Sequence, residues 1–320
     1  MNIKKIKTIL VGLGGIGFDY DKNNKDTITH AKSIIVNKKL KLVCAIDKKI
    51  NKTKQFKKKY KIDTSNNLSE SLNIYKPEFA VISVDIASIE RVTKLILNCP
   101  SIKLILLEKP GSISAKSLKN LYQISLKKRV RIFINYNRSY QFKILKMLQP
   151  IKRSKFKILY FYSRGFLNNC SHFLNLIFLF LDLPKKIEIL KKGKKFQNSI
   201  QPDIKLTFNK GEVYFISNDS NNVSHNELIF LNDKFKINSD QNLMKFKKYK
   251  LKINEHTKLN YYDFFDEMNI DKKKYQTIVY DQILKNKTER MCKKILISSQ
   301  KVLFIYDKIL KKYNKFRNEN

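Results

Sequence analysis

Short apolar runs alternate with longer polar segments over the first 135 residues of the chain. The polar segments, for example Ser88–Asn98 and Ser114–Lys127, are rich in lysine and have the length of helices. The apolar runs are β-branched or aliphatic almost throughout, as strands buried on both faces are. They are IKTILV (Ile6–Val11), KLVCAI (Lys41–Ile46), FAVISV (Phe79–Val84), KLILLE (Lys103–Glu108) and VRIFIN (Val130–Asn135). This alternation predicts an α/β fold with a doubly wound parallel sheet.

The pattern changes after about Tyr136. An apolar helix is predicted from His172 onwards, and strand-like runs then follow one another. Apolar and polar residues alternate in KLTFNKGEVYF, which predicts a hairpin that turns at Asn209-Lys210-Gly211. The last fifty or so residues have the apolar spacing of helices. We therefore expect an α/β domain at 1–135 and an α+β domain with a large, mostly antiparallel open sheet at 136–320.

Composition agrees with two domains and argues against a nucleic-acid partner. The chain has 320 residues, of which 42% are hydrophobic, enough for a core in each domain. Its formal net charge of +39 comes from 66 Lys and Arg against 27 Asp and Glu, but only 8 of the 66 are Arg. The lysines are spread along the chain, whereas recognition of bases and phosphates favours arginine. The excess therefore indicates the drift of an AT-rich genome.

Cysteine spacing and hydropathy predict a reduced, cytoplasmic protein. The cysteines Cys44, Cys99, Cys170 and Cys292 form no C-x-x-C pair and no short framework, so we expect free thiols. The longest apolar stretch after the start, Phe173–Leu183, is far shorter than the ~20 residues that span a bilayer. The start itself has the lysines and apolar run of a signal peptide, but no A-x-A-like site follows.

A glycine-rich motif directly follows the first predicted strand. Gly12, Gly14 and Gly17 have the spacing G-x-G-x-x-G within VGLGGIG. Glycines there permit a tight turn, a close approach to a pyrophosphate and packing of the next helix, whose first amides face the phosphate. Because a strand precedes the motif and a βαβ alternation follows it, we predict a Rossmann dinucleotide-binding domain rather than a structural turn. Gly15 and Ile16 complete the predicted contact with the cofactor.

Asp47 closes the second predicted strand and is the candidate for binding the adenosine ribose hydroxyls. It lies 30 residues after Gly17, against the usual ~20. A loop of about ten residues must therefore intervene, and the polar segment Phe18–Thr27 supplies it. Asp47 favours NAD, whereas Lys48 and Lys49 beside it would tolerate the 2′-phosphate of NADP. The alternative is a solvated aspartate at a strand end.

The sequence Glu108-Lys109-Pro110 ends the fourth predicted strand. Pro110 disfavours the helical region for Lys109, so we expect Lys109 to be extended at the carboxyl edge of the sheet, where open α/β sheets bind ligands. A lysine there can bind a substrate hydroxyl, and partial burial can bring its pKa towards neutrality. The other Lys-Pro pair, Lys76-Pro77, is interpreted as chance.

Together with these motifs, several segments resemble the Gfo/Idh/MocA family of oxidoreductases over nearly the whole chain. They are THAKS (Thr29–Ser33), LVCAID (Leu42–Asp47), KPEFAVISV (Lys76–Val84), LLEKP (Leu106–Pro110), FINYNRSY (Phe133–Tyr140) and RGFLNNCSHFLNLI (Arg164–Ile177). The resemblance implies that the first domain binds NAD or NADP and that a sugar-like carbinol reacts against the sheet of the second. It implies that Ser83 and Glu108 join the glycines and Asp47 in contacting cofactor, and that Lys109 and His172 carry the proton. It also implies a dimer or tetramer.

His172 begins the apolar helix, and Asn175 lies on the same face one turn further on. Imidazole exchanges a proton readily near pH 7, although a histidine at a helix start is on its own more often structural. In the family one of these two positions holds an aspartate, and asparagine lacks the charge that raises the basicity of its neighbours. Val84-Asp85-Ile86 likewise stands where the family has Thr-Pro. His30 resembles a position near the active site, and capping or packing is an equal alternative.

These residues predict an NAD(P)-dependent oxidoreductase that acts on a CH–OH group and takes NAD, with NADP possible. Its catalytic candidates are Lys109, His172 and Asn175. The resemblance is greatest to members encoded with surface-polysaccharide genes, which implies a sugar or nucleotide sugar as substrate. Arg138 and Arg164 are the candidates for pairing with a diphosphate.

A second hypothesis is a catalytically silent NAD-binding scaffold or regulator of the same fold. The departures at Asn175 and Asp85 support it. His225 and His256 lack metal-ligand spacing, so no metal site is predicted. The expected partners are a small-molecule substrate and further copies of the chain, without nucleic acid or a membrane span.

Overall fold

Two β-sheets divide the chain into two units. The computed structural model describes residues 4–197, 199–218, 223–271, 275–285 and 289–316. One unit comprises Met1–Tyr140 with Lys272–Leu303, and the other comprises Gln141–Asp271 with Phe304–Asn320. The sequence placed everything after residue 135 in the second domain, whereas the chain returns to the first unit near its end.

The first unit is built on a parallel sheet of six strands. The strands are β1 (Ile6–Val11), β2 (Leu40–Ile46), β3 (Thr64–Ser65), β4 (Phe79–Ile82), β5 (Leu104–Glu108) and β6 (Arg131–Asn135). Their order is β3-β2-β1-β4-β5-β6, and all neighbours are parallel. The order reverses between β1 and β4, the point where open α/β sheets bind ligands. The predicted doubly wound Rossmann fold is confirmed.

The helices of the first unit mostly follow its strands along the chain. They are α1 (His30–Val36), α2 (Ile50–Tyr60), α3 (Leu68–Tyr75), α4 (Ile86–Leu97), α5 (Ala115–Lys127) and α8 (Thr277–Lys285). Four of them begin at a side-chain cap that accepts a first-turn amide, supplied by Thr29, Asn67, Asp85 and Ser114. Such a cap stabilises a helix start by about 1 kcal/mol.

The second unit is built on a sheet of eight strands, β14-β13-β12-β11-β7-β10-β9-β8. The strands are β7 (Phe156–Tyr162), β8 (Lys186–Lys191), β9 (Asp203–Thr207), β10 (Gly211–Ser217), β11 (Asn226–Asn232), β12 (Phe235–Ser239), β13 (Lys245–Ile253) and β14 (Asn260–Asn269). Only β7 and β10 are parallel. The helices here are α6 (Phe142–Leu148) and α7 (Ser171–Phe178), and α9 (Glu289–Lys315) contributes to both units. The predicted large, mostly antiparallel sheet is confirmed.

Some strands of the second unit were predicted from the sequence, and others were not. The predicted hairpin is β9 and β10, in which alternate residues such as Val213 and Phe215 are buried. In contrast, β12 and β14 were not predicted. The edge strand β14 pairs, within the described ranges, with β13 alone. It is exposed at most positions, so its residues follow no apolar period.

The central strands of the first unit are apolar because both of their faces are covered. All residues of β4, Phe79–Ile82, have no exposed area. Burying one such side chain stabilises the fold by about 1.5–3 kcal/mol. The predicted apolar helix is α7, which ends at Phe178, and nearly all of it is buried. Across the described ranges, no helix is both long enough and apolar enough to cross a membrane.

Candidate active site

The glycine-rich motif forms a tight turn at the carboxyl end of β1. Gly12 has a φ of +98°, a left-handed conformation that L residues rarely adopt, and a Cβ there would lie 2.5 Å from the Ser83 carbonyl oxygen. A Cβ on Gly17 would lie 2.2 Å from the Gly12 carbonyl oxygen. The turn therefore closes against the end of β4 only with glycine at both positions.

A polar insertion, Phe18–Thr29, separates this turn from α1. The His30 amide donates to the Ile16 carbonyl at 2.9 Å, and the Ala31 amide donates to the Gly17 carbonyl at 3.0 Å. A helix that began inside the turn would make bonds of this kind. Backbone hydrogen bonds of the helical kind therefore join the glycine-rich turn directly to the start of α1, on either side of the insertion. The intervening loop that the sequence required lies here.

Two charged side chains hold the insertion in one conformation. The buried Asp21 carboxylate accepts hydrogen bonds from the Ile28 and Thr29 amides, at 2.7 and 2.8 Å, and from the Thr29 hydroxyl at 2.8 Å. The Lys32 ammonium donates to three backbone carbonyls between residues 21 and 26. Because the Asp21 carboxylate and the Lys32 ammonium both have hydrogen-bond partners within the insertion, they hold it in place beside the glycine-rich turn.

A cleft of about 780 Å³ opens where the strand order reverses. The carboxyl ends of β1, β2 and β4 and one side of α4 line it. A Cβ built on Gly14, in its wall, would meet no atom within 4 Å, so the backbone of the turn is open to a ligand there. Clefts of several hundred Å³ are usual for small-molecule and cofactor sites. The open turn fits a pyrophosphate.

Asp47 lies on this cleft, directly after β2. Its Oδ2 accepts the Leu13 amide at 2.7 Å, and its Oδ1 accepts the Lys49 amide at 2.8 Å. The carboxylate is half-buried. A carboxylate has about four acceptor positions, so both oxygens can accept further donors. The backbone of the glycine-rich turn therefore holds this carboxylate in place and leaves acceptor positions on both of its oxygens.

Basic side chains line the same cleft as the Asp47 carboxylate. Lys48, Lys49, Lys52 and Arg91 line the same cleft. Lys52 forms an ion pair of 2.6 Å with Asp19 of the insertion. Within the part of the chain that the structure describes, Lys49 and Arg91 form no ion pair. The cleft therefore offers uncommitted positive charge to an anionic ligand.

Two residues after β4 have structural partners of their own. The Ser83 hydroxyl donates to the Gly12 carbonyl at 2.7 Å. The Asp85 carboxylate accepts the Ser88 amide at 2.9 Å and the Ser88 hydroxyl at 3.0 Å, and the latter bond is the main cause that lowers the pKa of Asp85. The residue that departs from the family pattern at this place therefore serves as the cap of α4.

Tyr20, from the insertion, lies against the glycine-rich turn. A Cβ on Gly15 would lie 2.5 Å from the Tyr20 Cζ atom and 2.7 Å from its hydroxyl oxygen. Tyr20 is 66% exposed, so most of it faces solvent. Sequence analysis missed Tyr20, because only its place in an insertion distinguishes it.

Glu108 ends β5 inside a buried cluster of side chains. Its Oε1 lies 2.8 Å from His30 Nε2 and accepts a hydrogen bond from Asn135 Nδ2. His30 Nδ1 lies 2.7 Å from the Tyr280 hydroxyl and 3.3 Å from Gln276 Nε2. Burial raises the pKa of Glu108, but His30 and then Asn135 outweigh burial and leave the pKa below its usual value. The carboxyl group is therefore ionised.

Lys109 follows at the carboxyl edge of the sheet, in the cis peptide Lys109–Pro110. It is half-buried. Burial lowers the pKa of Lys109, the Glu108 carboxylate raises it and Arg138 lowers it, and the balance lies below the usual value. An amine in this state can take up the proton of a hydroxyl group.

The remaining predicted residues belong to the second unit. A turn of π-helix, Phe166–Cys170, leads into α7, where His172 is half-buried and Asn175 is fully buried. Arg164 is exposed, and its guanidinium group lies 5.7 Å from the centre of the Phe196 ring. His172 thus stands at a helix start, as its surroundings in the sequence indicated. The functional roles of these residues stay predictions.

Three members of the Glu108 cluster escaped sequence analysis. Asn135 ends β6, which neighbours β5, and its signal in the sequence was its place at the end of the predicted run Val130–Asn135. Gln276 and Tyr280 come from the late segment that returns to the first unit, and nothing in their local sequence marks them. His30, for which the sequence left a place near the active site and a structural role open, is fully buried, and its ring binds the Glu108 carboxylate.

The described residues include three free thiols and no arrangement of side chains that could hold a metal ion. In the described ranges, no group of three or more His, Cys, Asp or Glu side chains is arranged to hold a metal ion. Cys44, Cys99 and Cys170 are free thiols, and burial raises the pKa of Cys44 to about 11. The Cys292 side chain lies outside the described residues.

Solved structures share this fold over nearly the whole chain. A dehydrogenase from Clostridium difficile has a TM-score of 0.73 at 14% identity, covering 97% of this chain and 100% of its own. An NAD-binding oxidoreductase from Klebsiella pneumoniae has a TM-score of 0.72 at 10% identity, covering 96% and 97%. The UDP-N-acetylglucosamine 3-dehydrogenase of Acidithiobacillus ferrooxidans has a TM-score of 0.69 at 9% identity, covering 94% and 97%. At these identities the likeness shows the fold alone, and no curated protein sequence matches the chain.

The glycine-rich turn, the cleft and the Glu108-Lys109 edge all lie between residues 6 and 136. This segment matches the family model GFO_IDH_MocA, described as an oxidoreductase family with an NAD-binding Rossmann fold. The match confirms the predicted resemblance over this segment and the predicted cofactor. Residues 6–136 are therefore similar to the NAD-binding Rossmann fold of this oxidoreductase family.

Proposed function

We propose that this chain is an NAD(P)-dependent oxidoreductase that interconverts a sugar-type hydroxyl and the corresponding ketone. The observation that carries the proposal is the presence, on the carboxyl edge of one sheet, of a cleft with an open glycine-rich turn and of Lys109 with a lowered pKa. Its substrate is a sugar or nucleotide sugar of surface-glycan biosynthesis. The structural likeness to a UDP-N-acetylglucosamine dehydrogenase supports this class.

The residues present fit a dinucleotide. The turn that contains Gly14, Gly15 and Ile16 would hold the pyrophosphate, because its backbone is open at Gly14. Asp47 would accept the ribose hydroxyls with its remaining acceptor positions. Lys49 and Arg91, which have no ion pair among the described residues, would pair with a 2′-phosphate, so NADP is admitted as well. When bound, the nicotinamide ring accepts or donates the hydride.

Lys109 is the residue to which we assign the proton of the substrate hydroxyl. Its lowered pKa increases the fraction of neutral amine, which accepts the proton during oxidation, and the ammonium returns it during reduction. The resemblance adds His172 and Asn175 of the second unit as further catalytic candidates. Asn175 has no charge, so its part would be hydrogen bonding alone.

Arg138 is the candidate for an anionic group of the substrate. It is near enough to Lys109 to lower the pKa of that lysine. Among the described residues, its buried Nε atom has no hydrogen-bond partner. A phosphate or diphosphate oxygen would supply one. Arg164 is a second candidate of this kind, in the other unit.

Replacing Lys109 by alanine tests the proposal. We expect Lys109→Ala to bind NADH as the wild type does and to lose at least about 100-fold in turnover, because general acid–base catalysis contributes on that scale. Lys103→Ala is the matched control, since Lys103 is exposed near the other end of the same strand. The measurements are NADH fluorescence for binding and nicotinamide absorbance for turnover, across a panel of sugars and nucleotide sugars.

The outcomes separate the two hypotheses. Full turnover by Lys109→Ala would overturn the role of Lys109. Saturable NADH binding by the wild type, with no absorbance change for any substrate of the panel, would favour the silent scaffold. No NADH binding at all would contradict both.

A further inference from the structure

The Glu108 cluster joins three separate parts of the first unit. His30 begins α1, Glu108 and Asn135 end neighbouring strands, and Gln276 and Tyr280 come from the late segment around α8. Of these five residues, His30, Gln276 and Tyr280 have no exposed area and Asn135 has 2%. Buried polar groups of this kind are costly unless each is hydrogen-bonded, so their bonding directions are strongly constrained.

The ionised Glu108 carboxylate fixes the orientation of the two amides. A carboxylate only accepts hydrogen bonds, so Asn135 must present its Nδ2 group to it. The same Nδ2 lies 3.4 Å from Gln276 Oε1, so Gln276 presents its oxygen to Asn135. Its Nε2 group therefore faces His30 Nδ1, at 3.3 Å, and an amide nitrogen only donates.

These orientations assign one tautomer to His30. Nδ1 must accept, because Gln276 Nε2, 3.3 Å away, can only donate to it. With no hydrogen on Nδ1, the Tyr280 hydroxyl at 2.7 Å donates to the same lone pair. Burial, and after it the Glu108 charge, raises the pKa of Tyr280 far above its usual value, so its phenol keeps the proton that it donates. The remaining ring hydrogen of His30 is on Nε2, which donates to Glu108 Oε1 at 2.8 Å. The imidazole is therefore neutral.

We propose that His30 is a positioning residue for Lys109: a neutral imidazole that orients the Glu108 carboxylate without cancelling its charge. This inference rests on the proposed role of Lys109. A protonated His30 would form a neutral ion pair with Glu108, whereas the neutral tautomer leaves a full negative charge beside Lys109. Burial lowers the pKa of Lys109, the Glu108 carboxylate raises it, and Arg138 lowers it. The hydrogen bond from His30 therefore sets how strongly the Glu108 carboxylate attracts the Lys109 ammonium.

Two-bond proton–nitrogen correlation spectra of nitrogen-15-labelled protein test the tautomer. We expect one histidine with a protonated Nε2 and an unprotonated Nδ1 at neutral pH, and we expect its signals to disappear in His30→Gln. A doubly protonated His30 at neutral pH, or the opposite tautomer, would overturn the assignment. This measurement uses the wild-type fold and does not depend on any variant being stable.

Competitive acetylation tests the effect on Lys109. Acetic anhydride labels neutral amines, so labelling of the Lys109 peptide against pH, followed by mass spectrometry, gives the titration midpoint of that lysine without substrate or cofactor. In His30→Leu the carboxylate loses its imidazole donor and its attraction to the ammonium increases. We expect the Lys109 midpoint to rise by about one pH unit. An unchanged or lowered midpoint would overturn the proposal.

Two further variants make the result specific. His30→Gln places an amide donor near the position of Nε2, so it should restore the wild-type midpoint, and a midpoint that matches His30→Leu would count against positioning by a donor. His225→Leu is the matched control, because His225 contacts Glu227 at 2.9 Å in the second unit and should leave the midpoint unchanged. Because labelling needs no NADH, its failure is distinguishable from failure of the proposed oxidoreductase activity.

Discussion

Asp47 and Glu108 are carboxylates at the carboxyl ends of strands of one parallel sheet, yet they are held in different ways. Asp47 lies on an open cleft and accepts two backbone amides, one of them from the glycine-rich turn. Glu108 is largely buried and accepts side-chain donors from other elements. The first arrangement leaves the carboxylate available to a ligand, whereas the second makes it part of the core. Ligand binding should therefore depend on Asp47, and folding should depend on Glu108.

The largest effect on stability is expected from Glu108→Ala. This change leaves His30 Nε2 buried without an acceptor and leaves Asn135 Nδ2 only the 3.4 Å contact with Gln276 Oε1, and an unsatisfied group of this kind costs about 1–3 kcal/mol. We expect the free energy of unfolding to fall by about 3 kcal/mol, measured by urea denaturation. Glu78→Ala, at the amino end of β4, is the control and should cost less than about 1 kcal/mol. Equal losses in the two variants would remove the distinction between the carboxylates.

Asp47→Ala should weaken NADH binding and leave stability nearly unchanged, the opposite of what we expect for Glu108→Ala. Loss of an ionised acceptor for the ribose hydroxyls should weaken NADH binding about 10- to 100-fold, the equivalent of about 1.4–2.8 kcal/mol. The amides of Leu13 and Lys49 border the open cleft and can bind water instead, so we expect stability to change by less than about 1 kcal/mol. Fluorescence titration and urea denaturation give the two numbers. A loss of stability without a loss of affinity would contradict the assignment.

A smaller effect separates two adjacent glycines. Gly15→Ala should cost about 1 kcal/mol, because its Cβ would meet the Tyr20 ring, and Tyr20→Ala should abolish that cost. Gly14→Ala should cost nothing in stability, since its Cβ would lie in open space, but it should weaken NADH binding. Thermal unfolding and NADH titration of the single and double variants check both. Additive effects of Gly15→Ala and Tyr20→Ala would show that the two residues do not interact.

The smallest expected effect concerns pH. The pKa of Glu108 in the folded chain lies below its usual 4.5, so its ionisation stabilises the fold above that pH. This contribution is lost as the pH falls below 4.5 and through the folded pKa. Glu108→Gln should therefore reduce the loss of stability between about pH 5 and 3, measured by urea denaturation at several pH values. An unchanged acid dependence would mean that Glu108 does not titrate differently in the folded and unfolded chain.

The same contrast explains how far the sequence predicted the molecule. The parallel sheet, the glycine-rich turn, the intervening loop and the position of Asp47 were predictable, because a buried strand and a turn show in adjacent residues. β1 has the bounds that its apolar run indicated. Local patterns fixed these elements because each one's hydrogen bonds and burial follow from its own sequence.

The Glu108 cluster was not predictable in this way. Its members are separated by up to 250 residues along the chain, as His30 and Tyr280 are. Gln276 and Tyr280 belong to a segment that the sequence assigned to the other domain. A single buried amide or phenol has no period or spacing, so only the fold reveals what it binds. The exposed edge strand β14 escaped prediction for a related reason, since few of its residues are buried.

A crystal structure of the chain grown with NADH tests most directly whether the cleft of the first unit binds a nicotinamide dinucleotide. We expect the pyrophosphate within hydrogen-bonding distance of the amides between Gly14 and Gly17, and the adenosine ribose hydroxyls on the Asp47 carboxylate. A dinucleotide bound elsewhere, or a cleft left empty at saturating NADH, would contradict the account.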